Sequence, residues 1–81
     1  MTSWNTELAK RDFQLGHIDS FQIERAVMTE GWTIRLVDGA NFGPLTTARE
    51  FSRPRVFKSL DAAVSALEEI GFSVEWLTNK G

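Results

Sequence analysis

The sequence contains no cysteine and only one histidine. Without cysteine the chain forms no disulfide framework, offers no thiolate nucleophile and has no cysteine ligands for zinc, as is typical of proteins from a reducing compartment. A long apolar run is also missing. The N-terminus mixes charged and apolar residues throughout, which predicts neither a signal peptide nor a membrane span. We therefore expect a cytoplasmic, bacterial protein that has no membrane partner.

Residue types that carry catalysis are scarce as well. His17 lies close to Asp19 and Ser20, but residues so near in an irregular link rarely converge into a Ser–His–Asp arrangement. The stretch "GANFG" lacks the spacing and the lysine of a phosphate-binding loop. One histidine without cysteine disfavours a metal site, which needs three or four converging ligands. We predict a protein that is not an enzyme and that uses no cofactor and no metal.

What the sequence does contain is enough apolar material for one small core. Its 81 residues are 42% hydrophobic and include three tryptophans and six phenylalanines. A chain of this length removes only about 60% of its unfolded surface from water, so some apolar surface is expected to stay exposed. The formal net charge of −2 argues against a partner that is bound mainly through phosphates.

The clearest predicted element is a helix in "SLDAAVSALEEIG". Ser59 can accept a backbone N–H as the N-cap, and Gly71 supplies a C-terminal stop. Leu60, Ala63, Val64 and Leu67 recur at helical spacing and Ile70 extends the stripe, which predicts that these residues form the face packed on the core.

Alternating apolar residues predict β-strands around this helix. Residues 21–28 and 32–37 are expected to form a hairpin, because the link between them is short, polar and ends in glycine. "DGANFGP" has the composition of a loop. After it, residues 45–50 and 54–57 are two short strands or one strand broken near Pro54, and residues 72–76 form a strand behind the helix. The expected core side of the hairpin consists of Phe21, Ile23, Val27, Trp32, Ile34 and Leu36.

The first twenty residues allow two interpretations. Ser3 could cap a helix from Trp4 to Leu15 that ends at Gly16, or the segment could be a mobile arm. Residues 21–81 are predicted to be one α+β domain with a three- to four-stranded antiparallel sheet, one main helix and the order β-β-β-α-β. One helix covers only one face of such a sheet. The other face is then solvated, covered by the N-terminal segment, or used for binding.

Two surfaces are candidates for partner binding. Basic residues near one sheet edge are suited to a nucleic-acid backbone or an acidic protein, although arginines on an edge strand also prevent edge-to-edge aggregation. Aromatic side chains are common at interface centres, although each of them also fits a core. The basic set is Arg35, Arg49, Arg53, Arg55 and Lys58. The aromatic set is Trp4, Trp32, Phe42, Phe51 and Trp76; of these, Trp4, Phe42 and Phe51 are the expected partner-binding residues.

The stretch "PRVFKSLDAAVSALEEIGF" resembles the C-terminal half of small accessory proteins encoded on bacterial conjugative plasmids and related mobile elements. The β-β-β-α order is also similar to the arm-type DNA-binding modules of tyrosine integrases, which are usually clearly basic, whereas this chain is acidic. The first resemblance implies a plasmid or phage protein that acts by binding. Proteins of this kind include inhibitors of host defence such as anti-CRISPR proteins, together with partition and regulatory factors.

The expected function is therefore a non-catalytic protein-binding module of a bacterial mobile element, an anti-CRISPR-like inhibitor of a host nucleoprotein complex being one form of it. The alternative is a DNA-binding accessory or regulatory protein that uses the basic sheet edge. A homodimer formed through the uncovered sheet face is compatible with both.

Overall fold

Over the described residues, the fold consists of two helices and one three-stranded antiparallel sheet, which is the predicted α+β class. The computed structural model describes residues 3–27, 29–47 and 53–73. The strands lie in the order β1-β2-β3. In chain order the elements are α1 (Thr6–Gln14), β1 (Ser20–Arg25), β2 (Trp32–Asp38), β3 (Asn41–Pro44) and α2 (Leu60–Ile70).

The hairpin of β1 and β2 has the predicted core face. Phe21 lies opposite Leu36, and Ile23 lies opposite Ile34, so these four side chains share one side of the sheet. Ile34 and Leu36 are fully buried there. Val27 was expected on this face but does not belong to it. It is 93% exposed, because β1 ends before it and leaves it in the link to β2.

The third strand was not predicted, because "DGANFGP" has the glycines and the proline of a loop. Gly39 and Ala40 form a two-residue turn between the paired residues Asp38 and Asn41. Gly39 has a φ of +59°, which suits such a turn. Pro44 ends the strand, and its carbonyl oxygen accepts a bond from outside the sheet. Its missing N–H would also point outward, so pairing with β2 loses nothing.

The segments predicted as strands at 45–50 and 54–57 make only isolated pairings among the described residues. The Leu45 N–H extends the ladder by one bond to the Ile34 carbonyl, and Thr46 bridges to Pro54. Phe57 exchanges two backbone hydrogen bonds of 2.8 Å with Trp32. The second segment therefore lies along the first residue of β2, next to the place that β3 occupies further along.

The N-terminal segment contains a helix, and its start differs from the predicted one. Asn5, rather than Ser3, is the N-cap, and its side chain accepts the N–H of Leu8. Trp4 cannot be helical, because its backbone bonds to Pro44 and Thr46 at the outer side of β3. Its indole is buried, and the indole N–H donates to the Asp12 carboxylate at 2.8 Å.

Helix α2 has the predicted bounds and caps, and most of the predicted face packs on the core, with Leu60 as the exception. The Ser59 hydroxyl accepts the Ala62 N–H, and the helix ends at Gly71. Leu67 is buried as expected, whereas Leu60 is 40% exposed and Val64 is only partly buried. The buried stripe consists of Ala63, Ala66, Leu67 and Ile70. The small side chains of Ala63 and Ala66 allow the helix to approach the sheet closely. The helix face that carries them turns inward, and Leu60 lies toward solvent.

Helix α1 packs beside α2, and aromatic rings connect both to β1. The rings of Phe13 and Phe72 are 4.6 Å apart, and Phe72 is 5.0 Å from Phe21 on β1. Phe72 begins the predicted strand 72–76, and the end of that strand lies outside the described residues. No helix within the described ranges is long and apolar enough to cross a membrane.

Candidate partner-binding surface

The side of the sheet opposite the helices is the candidate surface, and we call it the open face. Its residues alternate with the buried ones along each strand, and each of them keeps some exposure to solvent. They are Gln22, Glu24, Thr33, Arg35, Val37, Phe42 and Pro44.

Arg35 is the centre of the open face. Register places it directly between Gln22 on β1 and Pro44 on β3. Its diagonal neighbours are within reach of a long side chain. On one side its Nη2 lies 3.3 Å from the Glu24 Oε1, and on the other its guanidinium carbon lies 5.4 Å from the centre of the Phe42 ring.

These contacts hold the arginine without removing it from water. The Arg35 side chain is 43% exposed, and that of Glu24 is 40% exposed. An ion pair at such exposure contributes between 0 and about 1 kcal/mol, so a partner could displace it at little cost. Phe42 is 51% exposed, which is unusual for a phenylalanine on a strand. An accessible arginine beside an accessible ring is the composition found at the centre of protein interfaces.

Two shallow hollows give the open face its relief. One of about 200 Å³ lies beside Arg35 and Phe42 and is rimmed by Pro44 and Pro54. A second, of about 150 Å³, is lined mainly by apolar groups that include Val27 and Val56. The two hollows adjoin, because Thr33 and Pro54 line both. Val27 and Val56 are themselves 93% and 41% exposed, so the apolar surface continues to the end of the hairpin.

The basic residues singled out from the sequence do not form one patch. Arg35 is on the open face, whereas Arg55 lines a different hollow beside the start of α1, where it stacks 4.8 Å from the Phe57 ring and contacts the Thr6 hydroxyl. Lys58 lines a fourth hollow, at the turn end of the β1–β2 hairpin. Arg53 is exposed. Arg49 lies outside the described residues.

The aromatic residues are also divided. Phe42 is on the surface, as its loop-like sequence context suggested. Trp4 is only 2% exposed and is therefore a core residue, because its backbone completes the sheet edge and its indole reaches Asp12. Trp32 is partly buried under the guanidinium of Arg25. Phe51 and Trp76 lie outside the described residues.

His17 is exposed in the link before β1. Within the described part of the chain, no group of three or more His, Cys, Asp or Glu side chains is placed to hold a metal ion.

Sequence reasoning missed several members of the open face. Glu24 and Thr33 could have been found, because they alternate with the core residues of the hairpin. Pro44, Pro54 and Val56 could not, because their position depends on β3 and on the bridge at Phe57.

Comparison with known proteins identifies no relative. No protein-family model, no curated protein and no solved structure matches the chain.

Proposed function

We propose that this protein is a non-catalytic binding module that recognises another protein through the open face of its sheet. The observation that carries the proposal is the exposed Phe42 ring with Arg35 stacked on it. Aromatic and arginine side chains that fill a partner's pocket provide most of the energy in many interfaces. The neighbouring hollows and their proline rims offer a relief into which a partner side chain would fit.

The polar residues of the open face favour a partner surface that carries both polar and apolar groups over a purely apolar one. Glu24 and Arg35 neutralise each other, so neither leaves an isolated charge when the face is covered. A partner carboxylate could also take the place of Glu24 beside the guanidinium. We extend the proposal to an inhibitor of a host nucleoprotein complex encoded by a bacterial mobile element. This part rests only on the resemblance of residues 54–72.

DNA binding is the second candidate, and the exposure of Arg53 and Lys58 favours it. A backbone footprint needs several cations along one path. Arg35, Arg55 and Lys58 instead each line a different hollow, and the net charge of −2 opposes accumulation on a polyanion. We therefore rank this candidate below protein binding.

Capture from a bacterial lysate tests the first candidate. Tagged wild-type protein is compared with Phe42→Ser and with a matched control, Leu15→Ser, which removes another exposed apolar side chain from outside the sheet. Each capture is repeated after nuclease treatment. We expect a nuclease-resistant partner that Phe42→Ser loses and Leu15→Ser retains. With the purified partner, Phe42→Ser should raise the Kd at least about tenfold, as for an interface hot spot.

Salt titration separates the two candidates. If Arg53 and Arg55 neutralised phosphates, loss of each contact would reduce the log–log salt slope by about 0.9 on duplex DNA. A submicromolar, salt-sensitive shift of plain duplex DNA that is abolished by Arg53→Ala together with Arg55→Ala would reverse our ranking. The ranking would also be reversed if the captured partner were lost on nuclease treatment and were retained by the Phe42→Ser variant.

A further inference from the structure

The two edges of the sheet are treated differently. At the end of β3 the outer edge is covered by Trp4, whose N–H donates to the Pro44 carbonyl and whose carbonyl accepts the Thr46 N–H at 2.6 Å. The outer edge of β1 pairs with no strand among the described residues. An uncovered edge presents backbone donors and acceptors to any other extended chain.

Hydrogen bonds within the hairpin show which backbone groups of β1 point outward. The Ala26 N–H donates to Gly31, so the even-numbered residues of β1 face β2. The N–H and C=O of Trp32 both bond to Phe57, on the side of β2 away from β1. Trp32 lies opposite Arg25, so this agrees with the odd-numbered residues of β1 making no backbone bonds to β2. The N–H and C=O groups of the odd-numbered residues therefore point away from the sheet. These residues are Phe21, Ile23 and Arg25.

The sequence of this edge is complementary to itself when read antiparallel. If a two-fold axis passes through Gln22, the Phe21 of one copy lies opposite the Ile23 of the other. By symmetry, the Ile23 of the first copy lies opposite the Phe21 of the second. Phe21 and Ile23 supply the outward backbone groups, so each pair can exchange two hydrogen bonds. Both side chains are partly buried on the core side, and an apolar neighbour across the edge would cover what remains exposed.

Charge agrees with the same register. Asp19 precedes β1 and donates its N–H to the Val37 carbonyl, so it adds no backbone bond across the edge, but the axis at Gln22 brings its carboxylate to the side of Arg25 of the other copy, twice by symmetry. Both residues are exposed, and Asp19 uses its Oδ2 to accept the Gly39 N–H at 2.7 Å, which leaves Oδ1 for the arginine. Shifting the axis to Ile23 would bring Arg25 against Phe21 and lose both charge pairs. Of these two registers, only the one centred on Gln22 pairs apolar with apolar and acid with base.

We propose that a second copy of this chain pairs with the outer edge of β1, antiparallel and centred on Gln22. The result is a six-stranded sheet that runs through both copies. The two-fold axis is perpendicular to the sheet, so the two open faces lie side by side on one surface. The dimer therefore leaves the proposed partner-binding surface accessible, and its test is independent of that proposal.

The symmetry of the contact explains why the association stops at two. An isologous contact at β1 uses the same edge on both copies, so the assembly is closed. Trp4 occupies the outer side of Pro44 and Thr46, which leaves only the short stretch of β3 before Pro44 for a further strand.

A cysteine crosslink tests the register directly. The chain has no cysteine, so Gln22→Cys introduces a single thiol. Residue 22 occupies a non-hydrogen-bonded position across the proposed axis, where Cα atoms are about 4.5 Å apart, within the range that a disulfide spans. We expect oxidation to link two copies of this variant efficiently. Gln14→Cys, with its thiol exposed at the end of α1, is the matched control and should remain unlinked.

Sedimentation across the micromolar range tests the association without a crosslink. Gln22→Lys places two like charges at the axis and should raise the dimer dissociation constant at least about tenfold, whereas Gln14→Lys should not change it. Arg25→Glu alone should weaken the dimer, and Asp19→Lys combined with Arg25→Glu should restore it. Restoration would not occur if either residue acted only within its own copy.

Two results with a monomeric protein, and one with a dimer, would overturn the proposal. One is a monomer at all concentrations in which the Gln22→Cys variant links no faster than the Gln14→Cys variant. The other is a monomer in which the amides of Phe21 and Ile23 are protected from hydrogen exchange, because the edge would then be covered by the chain itself. A dimer whose dissociation constant is unchanged by Gln22→Lys would also exclude pairing through this edge.

Discussion

Arg35 and Phe42 meet across the β2–β3 pairing, with the guanidinium carbon 5.4 Å from the ring centre, although a turn separates them in sequence. Both remain accessible to water. Their contact holds two typical interface side chains in fixed positions before any partner arrives, which lowers the entropy lost on binding.

Because this contact is exposed, it should matter little for folding. Phe42→Ala is expected to lower the free energy of unfolding by less than about 1 kcal/mol, the usual range for an exposed cation–π pair. Leu36→Ala, on the buried side of the neighbouring strand, should cost about 2–5 kcal/mol. Urea titration of both variants measures the difference. Equal losses would mean that Phe42 is a core residue and is unsuited to binding.

The face of α2 can be tested with two leucines of the same helix. Leu67 is fully buried and Leu60 is 40% exposed. Leu67→Ala should cost about 2–5 kcal/mol in denaturant unfolding, because it removes buried methyl groups and leaves a cavity. Leu60→Ala should cost less than about 1 kcal/mol. Equal losses would show that Leu60 belongs to the packed face, as the sequence predicted.

Alanine substitutions at two glycines can distinguish the cost of backbone strain from the cost of steric overlap. Gly31 and Gly39 both have positive φ, but a Cβ on Gly31 would lie 2.7 Å from the Phe57 carbonyl oxygen, whereas one on Gly39 would meet nothing within 4 Å. Gly39→Ala should cost about 1–2 kcal/mol for the left-handed backbone alone. Gly31→Ala should cost clearly more, because the bridge between Trp32 and Phe57 has to shift. Thermal unfolding of both variants checks this, and equal midpoints would contradict it.

The bond from the Trp4 indole to Asp12 predicts a measurable coupling. Trp4→Phe removes the donor, and Asp12→Asn removes the charge of the acceptor. A hydrogen bond to a charged group contributes about 1.5–3 kcal/mol, so Trp4→Phe should destabilise by roughly that amount. A double-mutant cycle with denaturant unfolding should give a coupling of about 0.5–3 kcal/mol. Strict additivity would show that the two side chains act separately.

Sequence patterns predicted the elements whose signals are local. The cap at Ser59, the stop at Gly71 and the alternation in β2 each depend on neighbouring residues, and all three are confirmed. The strand at 41–44 was missed because its glycine and proline are tolerated for tertiary reasons. Gly43 is buried opposite Leu36, and Pro44 has its missing N–H on the outer side.

The candidate surface was harder to predict than the fold. Phe42 was selected from its context, but its contact with Arg35 requires the register of β3, which the sequence did not reveal. The basic residues are close in sequence, and this suggested one patch. Side chains alternate along an extended chain, so Arg55 and Lys58, three residues apart, point to different sides and line different hollows.

The attachment of Trp4 to residues 44–46 bears on how the protein is made. Trp4 and Thr46 are 42 positions apart, so a nascent chain carries Trp4 long before its partners have been synthesised. Phe57 and α2, which complete the same core, are added later still. Closing so long a loop costs entropy that local contacts cannot repay early. We therefore expect folding to finish only after most of the chain has left the ribosome, with Trp4 accessible to chaperones until then.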